Sequence, residues 1–284
     1  MIQDISPSVM NNQFDKAAVP DNEDTVLIFS EGRILAKCDG EVIFPKVSDL
    51  IVFNKKKLLY LFGIDETRFF LHIGKNCDSA VDPELGFVFW NLKDLREAKM
   101  PPKSNIYAAY TGKHLSDWYR DNKYCGRCGT KMVHSENERA KVCPECNYTA
   151  YPRIMPAVIV GVINGDRILI TRYKRGYNHN ALIAGFTEIG ETLEETVARE
   201  VMEEAGVKVA NIRYYKSQPW GIANDILVGF FCDVQGDATI KMDDNELKFA
   251  EWLLPEEIEL QPDDSSLTNE MMKLFKDGKI TSEQ

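Results

Sequence analysis

The chain has 284 residues, 44% of them hydrophobic and 27% charged, and its formal net charge at pH 7 is −10. This acidic balance argues against non-specific binding to nucleic acids or anionic membranes, because both require a basic surface. No apolar run approaches the ~20 residues of a membrane span, and the N-terminus lacks the pattern of a secretory signal. The seven cysteines, an odd number, fit a reducing compartment. We therefore expect a cytoplasmic protein of roughly two domains that crosses no membrane.

Residues 1–120 are expected to form a small β-rich domain. Its strand-like runs occupy residues 25–30, 33–37, 57–64 and 68–73. Glu31-Gly32 and Asp65-Glu66 are suitable hairpin turns between the paired runs. From 105 to about 122 the apolar residues recur with helical periodicity. The region contains no catalytic constellation, and we expect it to contribute to a dimer or to the wall of a pocket.

Two cysteine pairs define a second segment, residues 121–151. They follow the pattern C-x2-C, fourteen residues, C-x2-C, formed by Cys125, Cys128, Cys143 and Cys146. This is the spacing of a four-thiolate zinc ribbon, whereas two disulfides would not suit a reducing compartment. Four cysteines close the zinc tetrahedron and leave no open position for catalysis. We predict a structural zinc ion.

Residues 152–284 are expected to form the third domain. A continuous apolar run at 155–163 predicts a buried strand, and Asn164-Gly165 predicts a hairpin turn to a partner strand at 167–172. A basic, aromatic loop follows, which could meet a phosphate or simply be solvated; it contains Lys174, Arg175, Tyr177 and His179. Later strands are predicted at 213–216, 226–234 and 249–253, with a final helix at 265–276. One central and one terminal helix predict an α/β/α sandwich around a mixed sheet.

Residues 185–207 carry the strongest signal for function. A helix is predicted from about 193 to 205, with Thr192 and Glu195 as a capping box and Gly206 at its end. The apolar face is expected to comprise Ala198, Val201, Met202 and Ala205. Glu200, Glu203 and Glu204 have i, i+3, i+4 spacing, so their like charges repel unless a cation lies between them. Hard oxygen ligands of this kind suit Mg²⁺ or Mn²⁺.

The ordered pattern of this segment resembles the Nudix box at every fixed position. Those positions are Gly185, Glu191, Arg199-Glu200-Val201, Glu203-Glu204 and Gly206-Val207. The resemblance implies hydrolysis of a nucleoside diphosphate linked to another group, with the three helix glutamates holding the metal. It implies that Arg199 orients those carboxylates, that Glu203 or Glu204 is the general base, and that Glu246 is a further metal ligand.

Ser217–Trp220, with the sequence SQPW, narrows the resemblance to the NADH pyrophosphatase branch, together with the ribbon and the N-terminal domain. That branch implies cleavage of NADH or NAD⁺ to reduced or oxidised nicotinamide mononucleotide and AMP, removal of NAD caps from RNA, and a homodimer. It implies substrate contacts from Gln218, Trp220, Phe186, Tyr151 and Glu138.

In the branch signature SQPWPFPxS, the tryptophan is followed by PFPxS, whereas in this chain Trp220 is followed by GIAND. Two prolines are lost, so the loop should be less rigid, and Ile222 replaces an aromatic residue. Asp225 replaces serine, and we include it among the residues expected to face the substrate. An ADP-ribose or general dinucleotide hydrolase is therefore an alternative. A nucleotide sensor without catalysis is another, although the complete set of carboxylates counts against it.

Overall fold

The computed structural model describes residues 1–52, 54–74, 77–176 and 178–282; Tyr177 of the predicted basic loop lies outside these ranges. The described strands are β1 (Met10–Asn11), β2 (Thr25–Leu27), β3 (Phe29–Ser30), β4 (Arg33–Cys38), β5 (Val42–Ile43), β6 (Leu58–Ile64), β7 (Thr67–His72), β8 (Val88–Trp90), β9 (Val133–His134), β10 (Lys141–Val142), β11 (Thr149–Ala150), β12 (Met155–Asn164), β13 (Arg167–Tyr173), β14 (Ile183–Phe186), β15 (Val209–Trp220), β16 (Asp225–Val234) and β17 (Leu247–Leu253). The described α-helices are α1 (Leu92–Glu97), α2 (Lys103–Asp121), α3 (Leu193–Ala205) and α4 (Leu267–Lys276).

The chain divides into two compact units. The C-terminal unit comprises Met1–Gln3, Ile154–Trp220 and the residues from Asp225 onward, and the N-terminal unit comprises Asp4–Arg153 with Gly221–Asn224. The boundaries predicted at 120/121 and 151/152 stay a prediction. No described helix combines the length and the apolar character needed to span a membrane.

The C-terminal unit is built on a mixed sheet in the order β15-β16-β12-β13-β17, with β14 paired to β12. Strands β12 and β16 run parallel, whereas the other pairs are antiparallel. Successive side chains of β12 point to opposite sides of the sheet, and both sides are buried. Val158, Val160 and Val162 pack with α3, and Ile159 and Ile163 pack with α4. This confirms the α/β/α sandwich and explains the continuous apolar run at 155–163.

The hairpin between β12 and β13 forms as predicted, with its turn shifted by one residue. Asn164 pairs with Arg167, so Gly165 and Asp166 are the two turn residues. Gly165 has φ of 63°, the left-handed conformation that glycine adopts without steric cost. The final helix also forms, beginning at Leu267 after Ser266, whose side chain caps the Asn269 N–H.

The N-terminal unit is rich in β-structure, as predicted. One sheet has the order β1-β6-β7-β2, and another has β3-β4-β5 with β8 paired to β4. The predicted strand at 25–30 is interrupted at Ile28, and its two halves, β2 and β3, join different sheets. The hairpin turns form where expected, because Ser30 pairs with Arg33 and Ile64 pairs with Thr67. A small sheet in the order β11-β10-β9 belongs to the cysteine segment.

Candidate active site

Helix α3 is fixed at both ends by local chemistry. The Thr192 hydroxyl accepts the N–H of Glu195 at 3.2 Å, and the Glu195 carboxylate accepts the N–H of Thr192 at 2.7 Å. Gly206 ends the helix with φ of 68°, and its N–H donates to the carbonyl of Met202. Both predicted caps are confirmed. They fix where the helix starts and stops, and therefore where its glutamates lie.

The buried stripe of α3 differs from the predicted one. Val197, Val201 and Ala205, spaced four residues apart, pack in the core below the sheet, whereas Ala198 and Met202 are exposed. Val201 and Ala205 are buried as predicted, but Val197 and Glu204 replace Ala198 and Met202, which rotates the stripe by roughly 60° around the helix axis. As a consequence, Glu204 lies on the buried side, with 2% of its surface exposed. The three helix glutamates do not share one solvated face.

Arg199 donates hydrogen bonds to five oxygen atoms of the box. Its Nε and Nη2 donate to the two carboxylate oxygens of Glu191 at 2.6 and 2.9 Å. Its Nη1 donates to Glu200 at 2.7 Å and Glu203 at 3.0 Å, and Nη2 also reaches the carbonyl of Phe186 at 2.9 Å. The hydrogen bond from Arg199 lowers the pKa of Glu191 to about 2. The arginine thus brings together the carboxylates that the sequence predicted it would orient.

Gly185 is required by the position of Glu200. A Cβ atom at residue 185 would lie 2.0 Å from Cδ and Oε1 of Glu200, so the carboxylate occupies the space of a side chain. Burial raises the pKa of Glu200, with smaller contributions from Glu203 and Glu246 in the same direction. The fixed glycine therefore packs the carboxylate directly against β14.

Glu204 is the most deeply buried of the box carboxylates. Burial, followed by the charge of Glu200, raises its pKa to about 8. The hydroxyl of Tyr173 lies 3.3 and 3.2 Å from the two Glu204 oxygens. The sequence offered a weak signal for this tyrosine: Leu169, Thr171 and Tyr173 alternate along β13, which directs polar groups toward the α3 side of the sheet. The predicted strand ended at residue 172 and left Tyr173 out.

Backbone hydrogen bonds bring Glu246 to the same region. The N–H of Asp243 donates to the carbonyl of Glu204 at 3.0 Å, and the N–H of Lys174 donates to the carbonyl of Glu246 at 2.8 Å. The charge of Glu246 contributes to raising the pKa values of both Glu200 and Glu204. This segment lies far from the helix in sequence, yet it adds a fourth carboxylate to the acidic group.

The four carboxylates Glu200, Glu203, Glu204 and Glu246, called the acidic cluster below, have the donor chemistry for a hard divalent cation. Repulsion from neighbouring carboxylates contributes to the raised pKa values of Glu200 and Glu204, and a nearby cation would reverse that contribution. The carboxylate oxygens of the acidic cluster are farther apart than the ligand atoms of a closed metal site. Among the described residues, the four cysteines form the group in which three or more ligand atoms all lie within 4.8 Å of one another.

Ser217–Trp220 lies in β15 and not in a loop. Gln218 has no exposed surface: its Nε2 donates to the carbonyl of Ser265 at 2.7 Å and to Gln3 Oε1 at 3.2 Å. Its Oε1 accepts the N–H of Leu267 at 2.7 Å. The amide is therefore used inside the protein, which does not support direct contact with a ligand. Phe186, by contrast, is 49% exposed, and Trp220 is half-buried.

Asp225 begins β16, where it pairs with Trp220 on one side and Met155 on the other. It is 5% exposed, and its Oδ1 has no hydrogen-bond partner among the described residues. Burial raises its pKa to about 7. The acid that replaces the family's serine is therefore buried, and it is not an exposed charge that would repel a diphosphate.

Tyr151 and Glu138, both exposed, belong to the N-terminal unit, where they contact each other. The Tyr151 hydroxyl donates to Glu138 at 3.0 Å, and this bond is the first cause of a raised pKa for the tyrosine. In the same unit, a Cβ at Gly221 would lie 2.3 Å from the carbonyl oxygen of Tyr110 in α2. The backbone at the position of the signature's first proline thus lies too close to α2 to leave room for a side chain, and the predicted loss of rigidity after Trp220 stays a prediction.

The cysteine segment forms two equivalent turns. The N–H of Gly129 donates to the carbonyl of Cys125, and the N–H of Asn147 donates to the carbonyl of Cys143. The sulfur atoms lie close together: 3.7 Å for Cys125–Cys146, 3.4 Å for Cys128–Cys143 and 3.6 Å for Cys128–Cys146. Four thiolates gathered in this way fit a tetrahedral zinc ion.

Comparison with known proteins gives matches to the cysteine segment and to most of the C-terminal unit. Residues 153–275 match the NUDIX domain, and residues 120–151 match the NADH pyrophosphatase zinc ribbon domain. The chain is 37% identical over 185 residues to the NAD-capped RNA hydrolase NudC of Photorhabdus laumondii and 39% identical over 184 residues to that of Klebsiella pneumoniae (strain 342). Each alignment covers 64% of this chain and 71% of the relative. A solved NUDIX hydrolase from Nitrosomonas europaea has 21% identity and a TM-score of 0.48, covering 55% of this chain and 92% of that one.

Proposed function

This chain belongs to the Nudix hydrolase family, in the group with the NADH pyrophosphatase zinc ribbon, and we propose that it hydrolyses the diphosphate of NADH and NAD⁺. The products are reduced or oxidised nicotinamide mononucleotide and AMP. The observation that carries the proposal is the acidic cluster itself, in which Arg199 and the buried wall of β14 fix carboxylates beside one another. A diphosphate and a set of carboxylates repel, so a cation between them is the natural link.

Glu200, Glu203, Glu204 and Glu246 would hold one or more Mg²⁺ or Mn²⁺ ions, which when bound neutralise charge on the diphosphate and lower the pKa of a nearby water. Arg199 keeps Glu200 and Glu203 oriented, while Glu191 anchors the arginine. Glu203 or Glu204 accepts the proton as water attacks one phosphorus in line. The structural zinc belongs to the four cysteines and takes no part in this step.

On the substrate side, Phe186 and Trp220 are proposed to contact the dinucleotide, because their aromatic surfaces suit a stacked base. Tyr151 and Glu138 stay proposed contacts on the strength of the family resemblance. The internal hydrogen bonds of Gln218 favour a different role, in which it fixes the end of β15 below Trp220. Asp225 has the same kind of role, since it pairs with Trp220 and is buried.

The relatives' names extend the proposal to RNA that carries an NAD cap, whose reacting diphosphate is the same chemical group. A homodimer and a cytoplasmic location complete the proposal. The location is supported by the ribbon, because its four cysteines must stay reduced to bind zinc. ADP-ribose is the second candidate substrate, favoured by the loss of an aromatic residue at Ile222.

The test is chromatographic product analysis with purified protein and Mn²⁺ or Mg²⁺, using NADH, NAD⁺, ADP-ribose and an NAD-capped RNA in separate reactions. Release of AMP and reduced nicotinamide mononucleotide from NADH is the expected result. Faster cleavage of ADP-ribose would replace the dinucleotide assignment with the second candidate. Binding of NADH without any cleavage would overturn the hydrolase proposal and favour the sensor.

A further inference from the structure

The acidic cluster is held from two sides by different residues. Arg199 donates to Glu200 and Glu203, both within its own helix. Glu204 lies one turn beyond Glu200 on the buried side, where the Tyr173 hydroxyl of β13 contacts both of its oxygens and the backbone of Ala184 in β14 also favours its charged form. The Nudix box contains Arg199 but begins only at Gly185, after β13 has ended, so the second support comes from outside the motif.

The orientation of the Tyr173 hydroxyl is set by a backbone group. The N–H of Ala184 donates to this oxygen at 3.1 Å, which occupies one of its acceptor positions. Its own hydrogen can then point toward the Glu204 oxygens at 3.2 and 3.3 Å or the carbonyl of Leu182 at 3.5 Å. An ionised carboxylate at the shorter distance is the stronger acceptor. The hydroxyl therefore donates to Glu204 when that group is charged.

This arrangement holds the carboxylates of Glu200 and Glu204 against the same strand, β14. Ala184 precedes Gly185, where the Glu200 carboxylate occupies the space that a Cβ atom would take. Through the Tyr173 hydroxyl, Glu204 is tied to the same short strand, β14. Glu200 and Glu204 come from adjacent turns of α3, and both are thus fixed relative to one backbone segment.

We propose that Tyr173 is a positioning residue that fixes the Glu204 carboxylate for divalent metal binding, as Arg199 does for Glu200 and Glu203. The inference rests on the proposed function in that Glu204 is taken as a metal ligand. Hydrogen-bonded partners of metal ligands raise affinity because they hold the ligand in its binding orientation before the metal arrives.

The experiment measures Mn²⁺ binding to Tyr173→Phe by electron paramagnetic resonance of free Mn²⁺, in the absence of any nucleotide. We expect binding about 10- to 100-fold weaker than in the wild type, the range found for loss of such a partner. Tyr215→Phe is the matched control, because the Tyr215 hydroxyl donates to Glu270 on α4 at 2.8 Å, away from the box. The control should bind Mn²⁺ within twofold of the wild type. Wild-type affinity in Tyr173→Phe, or an equal loss in both variants, would overturn the proposal.

A second measurement asks whether Tyr173 acts through Glu204. In a Glu204→Gln background, adding Tyr173→Phe should weaken Mn²⁺ binding by less than twofold, because the carboxylate that the tyrosine positions is already gone. Losses that simply multiply would show that Tyr173 acts elsewhere. Since no substrate is present, a wild-type protein that binds Mn²⁺ but cleaves no dinucleotide would refute the proposed function and leave this test intact.

Discussion

The cysteine ribbon and the acidic cluster each offer four metal ligands, and they are prepared for a metal in different ways. The four sulfur atoms already lie within 4.8 Å of one another, on two turns of the same construction. The carboxylates are instead held by an arginine and a tyrosine, and their ligand atoms are more widely spaced. A ribbon with a small core needs its metal to fold, whereas a helix capped and packed on a sheet does not.

This difference separates a metal that stabilises from a metal that reacts. The core beside the cysteines contains Met132 and Ala150 besides the cysteines themselves, too little apolar surface to hold a fold alone. Helix α3 has its own caps and packs Val197, Val201 and Ala205 into a large core. We therefore expect zinc removal to unfold the ribbon, and removal of Mg²⁺ or Mn²⁺ to abolish activity without loss of structure.

The largest expected effect is loss of the ribbon in Cys143→Ser. Zinc binding contributes on the order of 10 kcal/mol to the folding of small zinc domains, so one missing thiolate should release the ion and unfold residues 125–146. Zinc content and limited proteolysis measure this, with Cys38→Ser outside the ribbon as the control. A variant that lost zinc and kept a protease-resistant ribbon would remove the contrast between the two sites.

Asp225→Asn tests what burial does to an acid without a cation. The pKa of Asp225 is raised to about 7, so its protonated form is favoured in the folded protein. At a pH below the pKa of Asp225 in the unfolded chain, the acid is protonated in both states and its burial has no pH-dependent cost. The free energy of unfolding then falls as pH rises from about 4 to about 7, and it is constant above that range. The penalty at neutral pH is at most about 4 kcal/mol. Asp225→Asn should therefore raise stability at pH 8 and leave it unchanged at pH 4, as measured by urea unfolding. Equal effects at both pH values would contradict the buried acid.

Gly185→Ala tests the packing of Glu200. The new methyl group would meet Glu200 at 2.0 Å, so the carboxylate must move, at a cost of about 1–3 kcal/mol for overpacking. We expect kcat/KM for NADH to fall at least tenfold while the protein stays folded. Gly126→Ala, where the added methyl meets nothing within 4 Å, is the control from the ribbon. Full activity of Gly185→Ala would show that Glu200 need not occupy this position.

The smallest expected effect comes from the helix cap. Thr192→Ala removes the acceptor for the Glu195 N–H and should lower stability by about 1 kcal/mol, seen as a fall of a few degrees in Tm. Thr192→Ser keeps the acceptor and should keep the wild-type Tm. If Ala and Ser melted alike, the local caps would not be what makes α3 independent of metal.

Local features of the site could be predicted from the sequence, because short-range chemistry determines them. Thr192 and Gly206 marked the ends of α3, and the cysteine spacing marked the ribbon. Which face of α3 packs on the sheet could not be predicted in the same way. Ala198 and Met202 are apolar, yet both side chains are exposed and not buried against the sheet. A composition of apolar residues permits several stripes, and only the packing partner selects one.

Hydrogen bonds between residues far apart in sequence could not be predicted for a related reason. Gln218 bonds with Gln3 and Ser265, which are 215 and 47 residues away, so its burial follows from the assembled fold. The same holds for Tyr173 and Glu204, separated by 31 residues and joined only when β13 and α3 meet. A motif identifies which residues are present, whereas these contacts decide which of them face a ligand.

The most direct test of the account compares the wild type with Glu204→Gln, measuring NADH hydrolysis and thermal stability in the same preparations. The side chains are nearly equal in size, so the fold should be kept, while loss of one metal ligand should reduce kcat at least a hundredfold, or about 2.7 kcal/mol. A folded Glu204→Gln protein that hydrolyses NADH at the wild-type rate would contradict the assignment of the acidic cluster as the reacting site.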